Sequence, residues 1–347
     1  MNFNLEPVQL IYDVVYYVVF NLTKAILAVT QPASYIYWPF LLSAVVAAFL
    51  VSRIKPKIPE TGEGSSGQQR FRDLFRADIW WHRSSRADYL YYFGNALVLP
   101  LVFGALLFSD AQIVTLINNA IGNSSPATGQ GAQTAGVWVR VLFTIAFFVA
   151  FDFGRFVAHC LLHDIPVLWE FHKVHHSAEV LTPATTYRVH PVDLLVMGWV
   201  PAVTTGIVAW CFNAFTGLSV TVYSYLGLHV VFWAFNIIDN LKHSPVWMSF
   251  GPIWGKWLIS PAHHQLHHSY EPRHLGCNRG SYLAIWDSLY GTLYVPGAQI
   301  EAFRMGLGDG TDGRWHGLWR MYLWPFAGSV REALKLARRL TMRQELK

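Results

Sequence analysis

The sequence predicts an all-α, polytopic membrane protein with about four to six transmembrane helices and a helical, histidine-rich cap on the cytoplasmic side. Two observations lead to this prediction: the apolar residues occur in long runs, and histidines cluster where such runs end. Of the 347 residues, 53% are apolar and 16% aromatic, but only 14% are charged. Soluble domains carry about 25% charged residues, so a membrane protein is the leading class.

Several apolar runs approach the roughly 20 residues that a helix needs to cross about 30 Å of hydrocarbon. They are residues 34–52, 89–108, 137–159 and two further spans within 192–238, separated near Asn213 to Gly217. The stretch from Val8 to Val29 is interrupted by Asp13 and Lys24, so it is either an early span or an interfacial helix. It lacks the positive start and small-residue cleavage site of a secretory signal.

These runs divide the chain into five predicted regions. Residues 1–58 hold the N-terminal membrane segments, 59–88 a basic cytoplasmic linker, 89–145 membrane helices with an outward loop, 146–295 a metal-binding domain, and 296–347 a basic amphipathic tail. The most linker-like stretch is IPETGEGSSGQQR, at 58–70. We expect the tail either to lie on an anionic leaflet or to be a solvated helix.

Basic residues indicate the orientation of the spans. Residues 53–88 contain eight Lys or Arg, whereas 109–136 contain none. By the positive-inside tendency the first segment is cytoplasmic and the second faces outward. The end of 137–159 and the chain after 240 then reach the cytoplasmic side. The net charge of +5 needs no nucleic acid partner, because the basic residues flank membrane segments.

Cysteines offer no alternative site chemistry. Cys160, Cys211 and Cys277 are isolated and show no paired spacing. A disulfide framework and a thiolate zinc site are therefore not expected.

Histidines carry the strongest functional signal. Most of the fifteen fall in clusters or in the segment that joins them: His159, His163, His172, His175, His176, His243, His263, His264, His267 and His268. His159 and His163 are four apart and share one helix face. Adjacent histidines in HKVHH (172–176) and HQLHH (264–268) are rotated by about 100° on a helix, so each pair can reach two neighbouring metal ions. Together these segments supply eight imidazoles, enough for a dinuclear centre with positions open for oxygen.

Isolated histidines have a simpler interpretation. His82, His229, His274 and His316 belong to no cluster and are expected to be ordinary hydrogen-bonding residues. The clustered set is different, because so many neighbouring imidazoles without a metal would charge and repel one another below neutral pH. Nitrogen ligation suits Fe, Zn, Cu or Ni, so the ligands do not name the metal.

Around these histidines the sequence resembles the fatty acid hydroxylase and sterol desaturase superfamily of integral-membrane di-iron oxygenases. The resemblance covers roughly residues 146–295. It is carried by DFGRFVAHCLLH from Asp152, PVLWEFHKVHHS from Pro166, YRVHP at 187–191, HQLHHS at 264–269, and NRGSYLAIWDSLYGT from Asn278 to Thr292.

Matched position by position, the resemblance implies a set of metal ligands. They are His159, His163, His172, His175, His176, His264, His267 and His268, with His243 as a further family histidine. His190, in the R-x-H-P stretch, is implied as a ligand or as a group beside one. Cys160 departs from the usual Arg after the first histidine, and Asp239 stands where some hydroxylases have another histidine.

The resemblance also implies the chemistry. It predicts two non-haem iron ions, O2 as oxidant, a lipid substrate, and electrons from a cytochrome b5-type protein or a ferredoxin. Zinc is a possible substitute, because raw affinity favours it over ferrous iron.

Two aspartates are candidates for catalytic roles. Asp152, seven residues before His159 and on nearly the same face, either accepts a hydrogen bond from a ligating histidine or pairs with Arg155. Asp239, four residues before His243, either supplies an oxygen ligand or orients an imidazole.

The expected function is O2-dependent lipid C–H hydroxylation or desaturation. The same set of ligands serves both reactions, so the ligands do not distinguish them. Two alternatives from other classes stay open. One is a membrane zinc hydrolase, which needs fewer ligands and a metal-bound water. The other is a non-enzymatic metal-binding membrane protein.

Overall fold

The computed structural model describes residues 7–53, 71–103, 106–121 and 135–345, which are mostly helical. Their helices are α1 Pro7–Leu27, α2 Trp38–Arg53, α3 Ala77–Trp80, α4 Arg83–Phe103, α5 Asp110–Ile121, α6 Val137–Asp164, α7 Pro166–His176, α8 Pro191–Thr216, α9 Val230–Asp239, α10 Gly251–Trp254, α11 Pro261–His267, α12 Ile285–Tyr290 and α13 Leu318–Glu345. Short 3-10 turns include Phe71–Phe75 and Pro183–Tyr187, and strands β1 Ser224–Tyr225 and β2 Leu228–His229 form a small antiparallel hairpin.

The helical architecture agrees with the predicted all-α membrane class. Among the described residues, three helices are long and apolar enough to cross a membrane: Gln9–Thr30, Val137–Asp164 and Pro191–Thr216. The first of them is the stretch interrupted by Asp13 and Lys24, which by length and composition can therefore span. α2 and α9 are apolar but shorter.

The predicted pair of spans within 192–238 takes an unequal form. α8 runs to Thr216 and is ended by Gly217, whose φ of 65° is left-handed and costs glycine little. The β-hairpin follows, and α9 then has only 10 residues. The return toward the cap is therefore made by a hairpin and a short helix rather than by a second long helix.

Close packing of α6 on α8 positions the first histidines. A Cβ on Gly154 would lie 2.5 Å from Thr204 Oγ1 and 2.6 Å from Pro201 Cα, so only glycine permits this approach. The Thr204 hydroxyl donates to the Ala150 carbonyl across the same contact at 2.7 Å. The C-terminal end of α6, with His159 and His163, is thereby fixed against the helix that follows the R-x-H-P stretch.

The C-terminal helix is part of the cap in its first half. α13 packs on α7, where the Ser329 hydroxyl donates to the Val167 carbonyl at 2.7 Å. Met321 is fully buried, whereas apolar side chains farther along, such as Leu334 and Leu340, are exposed. The interfacial and the solvated interpretations of the tail therefore concern only its later turns.

Some predicted features lie outside the described residues. These are the whole linker stretch 58–70 with residues 54–57 before it, and residues 122–134 of the loop 109–136.

Candidate metal centre

Four separate segments bring nine histidines together. They come from the end of α6, from α7, from the turn after α9, and from α11 with its C-cap residue His268. The nitrogens form two groups, and within each group all ligand atoms lie within 4.8 Å of one another. Group 1 comprises His159, His163, His172, His176 and His267, and group 2 comprises His175, His243, His264 and His268.

Adjacent histidines are divided between the groups. His176 belongs to group 1 and His175 to group 2, and His267 and His268 are divided in the same way. The groups abut, since the ring centroids of His176 and His268 are 4.7 Å apart. The helical rotation between neighbours therefore directs each pair toward two adjacent points.

Hydrogen bonds fix the tautomers in group 1. The Nδ1 atoms of His159 and His267 lie 2.7 Å from the Arg279 and Cys277 carbonyls, respectively. His172 Nδ1 lies 2.7 Å from the Asp193 carboxylate. A carbonyl or carboxylate oxygen only accepts, so each Nδ1 is the donor and each neutral ring leaves a lone pair on Nε2.

Those lone pairs point at one another. His159 Nε2 lies 3.0 Å from His172 Nε2 and 3.1 Å from His267 Nε2. Two acceptors at this distance repel unless a cation lies between them. Zinc–imidazole bonds of about 2.0–2.1 Å place two nitrogens about 2.8–3.4 Å apart, from octahedral to tetrahedral angles. The residues of group 1 therefore fit a metal ion.

Group 2 has similar spacing and a different surrounding. His243 Nε2 lies 2.9 Å from His264 Nε2 and 3.3 Å from His175 and His268 Nε2. His175 Nδ1 donates to the Arg188 carbonyl, and His243 Nδ1 lies 3.0 Å from Thr186 Oγ1. The polar support of this group comes from the 3-10 turn Pro183–Tyr187 and the residue after it.

Burial favours the neutral form of six of the cap imidazoles. It lowers the pKa of His243 and His267 to about 3. Burial, reinforced by neighbouring histidines, lowers the pKa of His175, His176, His264 and His268 well below its usual value; no charge therefore competes with metal binding at neutral pH.

Asp193 is a supporting residue that sequence reasoning missed. It is 1% exposed and lies in the first turn of α8. Its signal was an acidic residue at the start of an otherwise apolar span, where charge is costly unless it is used. A carboxylate that accepts the second ring N–H of a ligand both orients the ring and strengthens its basicity.

Asp152 takes neither of its two predicted roles. Its buried carboxylate accepts from the backbone N–H groups of Tyr282 and Leu283, both at 3.0 Å, and from Trp286 Nε1 at 2.9 Å. It thus anchors the segment whose Arg279 carbonyl accepts from His159. Asp152 supports the site through this segment and contacts neither a histidine nor Arg155 by hydrogen bonding or ion pairing.

Asp239 forms an ion pair with Lys242 and lies outside both histidine groups. Lys242 Nζ also donates to the Ser281 carbonyl at 2.7 Å. A cavity of about 150 Å³ lies here; its wall includes histidines of both groups, His159, His172, His175, His243 and His264, together with Arg155, Asp193, Asp239 and Lys242. Asp239 thus faces the space beside the histidines as the partner of a lysine.

His190 is not brought to the centre. Its Nδ1 accepts from the Val192 N–H as the N-cap of α8, and its Nε2 donates to the Tyr322 carbonyl at 3.1 Å. Both nitrogens are used by the backbone, so the interpretation of His190 as a ligand is wrong in this structure. His263 likewise belongs to neither group; its side chain completes the capping box of α11, whose N-cap is Ser260.

Arg188, beside His190, forms a buried lock. It is 0% exposed and pairs with Asp88 at 2.8 Å, while its other N–H groups reach the Val174 and Trp315 carbonyls. This guanidinium joins α4, α7 and the segment before α13. The position of the Arg188 carbonyl, and so of His175, depends on that lock.

A helical membrane protein with two buried groups of imidazoles is the class that fold and site define. Residues 144–292 match the family model described as fatty acid hydroxylase. Residues 144–292 therefore resemble the fatty acid hydroxylase and sterol desaturase superfamily, as the sequence predicted.

Similar curated proteins are lipid hydroxylases, monooxygenases and sterol desaturases. An ornithine lipid hydroxylase of Rhizobium tropici is 30% identical over 190 residues, covering 51% of this chain and 52% of the relative. An alkylglycerol monooxygenase of Danio rerio is 27% identical, covering 51% of this chain and 36% of the relative. A Delta(7)-sterol 5(6)-desaturase of Gibberella zeae is 29% identical, covering 47% and 45%.

The chain thus spans about half or less of the length of these curated relatives. No solved structure matches the chain.

Proposed function

We propose that this protein is a membrane-bound, O2-dependent lipid C–H hydroxylase or desaturase with two histidine-bound iron ions. The observation that supports it most strongly is the set of buried Nε2 atoms that face one another in two adjoining groups. The similar proteins named above act on lipids, which supports a lipid substrate. Iron bound here would supply the activation of O2 and of an unreactive C–H bond.

The residues of the chain perform the remaining tasks. Group 1 and group 2 would each hold one ion, and the Arg279, Cys277 and Arg188 carbonyls together with Asp193 keep the rings oriented. The cavity of about 150 Å³ is the space beside the histidines that a reacting group could enter. Its burial limits water, which protects reactive species from side reactions.

Orientation and electron supply are parts of the same proposal. We infer that the cap faces the cytoplasm, because basic residues are concentrated in 53–88 and absent from 109–136. A cytochrome b5-type protein or a ferredoxin would then deliver electrons from that side.

The test uses protein purified anaerobically from its native host and cells that lack it. We expect one metal ion for each histidine group, predominantly iron, and lipids shifted by one oxygen or by two hydrogens only in cells that contain the protein. A single tightly bound zinc with O2-independent lipid cleavage would instead support the zinc hydrolase. Two bound metals with no change in any lipid would support the non-enzymatic alternative.

A further inference from the structure

An apolar cavity of about 450 Å³ adjoins the cavity at the histidines through segments 184–187 and 240–244, and its volume is within the usual range of ligand pockets, about 300–1,000 Å³. Much of its wall comes from α2, from residues 74–80 and from α4, which precede the family match at 144–292. The rest comes from residues 183–187 and 240–246. The site is therefore built in large part by residues that the shared domain does not supply.

Polarity of the lining restricts the occupant. No acidic or basic side chain of the described residues lines this cavity. Its hydrogen-bonding side chains are almost all used internally: Trp80 donates to Leu74 O, Tyr89 to Trp80 O, Tyr92 to Ala25 O and Ser244 to Leu241 O, while Tyr187 bonds Ser34. A charged headgroup would be left without compensation here.

One acceptor is the exception. Asn240 is 3% exposed and lines the cavity, and its Nδ2 donates to the Tyr35 carbonyl at 2.8 Å. That bond fixes the amide orientation, because a carbonyl cannot donate. The Asn240 Oδ1 atom is then buried with no hydrogen-bond donor among the described residues.

A bound water explains this acceptor poorly. A buried water needs two to four polar partners, and Asn240 Oδ1 is the one oxygen among the lining side chains just described that makes no hydrogen bond to the described residues. A ligand with one donor and an otherwise apolar body satisfies both the acceptor and the lining.

The acceptor lies close to group 2 along the chain. Asn240, Leu241 and Ser244 line the apolar cavity, whereas Lys242 and His243, between them, line the cavity at the histidines. Segment 184–187 alternates in the same way: Ala184 and Tyr187 face the apolar side, and Thr186 the other. In these two segments, the wall between the two cavities is therefore only one polypeptide segment thick.

We propose that this cavity binds the uncharged alkyl chain of a lipid whose hydroxyl or amide N–H donates to Asn240 Oδ1. The end of the lipid that carries the donor lies at the wall next to His243, and its alkyl chain fills the space between α2 and α4. That this lipid is the substrate rests on the function proposed above; that it binds does not.

The experiment is photo-cross-linking of the full-length protein in native membranes. The probe is a hexadecanol with a diazirine in its chain, and its methyl ether is the matched probe without the donor. We expect the alcohol to label peptides that contain Ala44–Ala48 and Leu241–Val246, about tenfold more than the ether, the ratio that one buried hydrogen bond gives. Excess hexadecanol should compete, and cholesterol should not.

Variants test the binding of the alkyl chain and the hydrogen bond to Asn240 separately. Ala48→Phe and Ala44→Phe fill the cavity and should remove labelling, whereas Val46→Phe, on the exposed face of the same helix, should not. Asn240→Leu should abolish the preference for the alcohol while the ether still labels. An unchanged Tm in detergent reports that each variant is folded.

Equal labelling of the alcohol and the ether in the natural protein would overturn the hydrogen bond to Asn240. Labelling that survives in both Ala44→Phe and Ala48→Phe would overturn the alkyl-chain site. Labelling that cholesterol displaces better than hexadecanol would overturn it as well. Cross-linking requires neither iron nor turnover, so its failure leaves the proposed oxidation standing. Labelling without lipid oxidation would in turn remove the proposed function alone.

Discussion

At the scale of single residues, the chemical state of the histidines is decided by their second ring nitrogen. In group 1, the carbonyls of Arg279 and Cys277 and the carboxylate of Asp193 accept hydrogen bonds from Nδ1–H groups. The Nε2 atoms of these three rings, which face one another, therefore carry free lone pairs that can bind an ion. An acceptor that is a carboxylate can be changed alone, without moving the backbone.

Replacing Asp193 with Asn tests this support. The amide can present its N–H to His172 and lose the fixed tautomer, and in either orientation it lacks the negative charge. We expect metal affinity or turnover to fall roughly 10- to 100-fold, measured as iron per chain and as lipid product formed. Asp309→Asn, in the exposed turn 309–311, is the control and should leave both unchanged.

Replacing single histidines separates the two groups. His267→Ala removes a nitrogen from group 1 and His268→Ala one from group 2, so each should lower metal content and abolish activity. His316→Ala, paired with Glu179 at 3.2 Å and outside both groups, should do little. Full metal content in either cluster variant would contradict the grouping.

Asp239 distinguishes a ligand from a counter-charge. Because it pairs with Lys242 and belongs to neither group, we expect Asp239→Asn to retain the metal. Turnover should fall, because Lys242, next to His243, loses its partner in the cavity wall. Metal analysis beside activity measurement decides, and a variant that loses metal would restore Asp239 as a ligand.

At the scale of elements, the segment from Arg279 to Trp286 is held in place by buried aspartates. Asp152 accepts three hydrogen bonds from it, and Asp287 accepts from the Arg279 and Gly280 N–H groups at 2.7 Å. This segment in turn carries the carbonyl that orients His159. A loop without a ligand of its own therefore determines the geometry of group 1.

Asp152→Ala should loosen that segment. It leaves two backbone N–H groups and an indole N–H without their acceptor, each worth about 1–3 kcal/mol when buried. We expect a lower Tm, measured by thermal unfolding in membranes or detergent, and less iron per chain, measured by metal analysis. Asp13→Ala, at a half-buried position on α1 where it removes only a contact with Gln9, should shift neither, and an unaltered Asp152→Ala protein would remove this role.

At the scale of the whole molecule, apolar helices bring distant segments to one end of the bundle. α6 and α8 pack through Gly154, and the hairpin and α9 return the chain so that His243 meets α7. Both HxxHH segments must then lie on one face of the membrane, which positive-inside reasoning assigns to the cytoplasm.

Cysteine labelling tests that orientation. Ser109→Cys, exposed before α5, should react with an impermeant thiol reagent from outside the cell, and Leu275→Cys, 66% exposed on the cap, only after permeabilisation. The buried natural Cys160 and Cys277 should react with neither treatment. Labelling of Leu275→Cys from outside would reverse the orientation.

Local spacing alone determined much of this protein. Apolar runs predicted membrane helices, because crossing hydrocarbon requires length and low charge, both readable from sequence. The HxxHH spelling predicted that adjacent histidines point to different ions, because helical rotation is a property of the backbone itself. All nine histidines of the two groups were among the residues that the sequence analysis named as ligands or as a further family histidine.

Tertiary packing decided what spacing does not encode. Asp152 was seven residues from a histidine yet bonds a loop over a hundred residues away, and His190 resembled a ligand yet caps α8 and reaches α13. Asp193 and the Arg188–Asp88 lock were missed because their partners are distant in sequence. Buried polar groups take whichever donor or acceptor the fold brings within about 3 Å, so their roles follow from the packed chain and not from sequence distance.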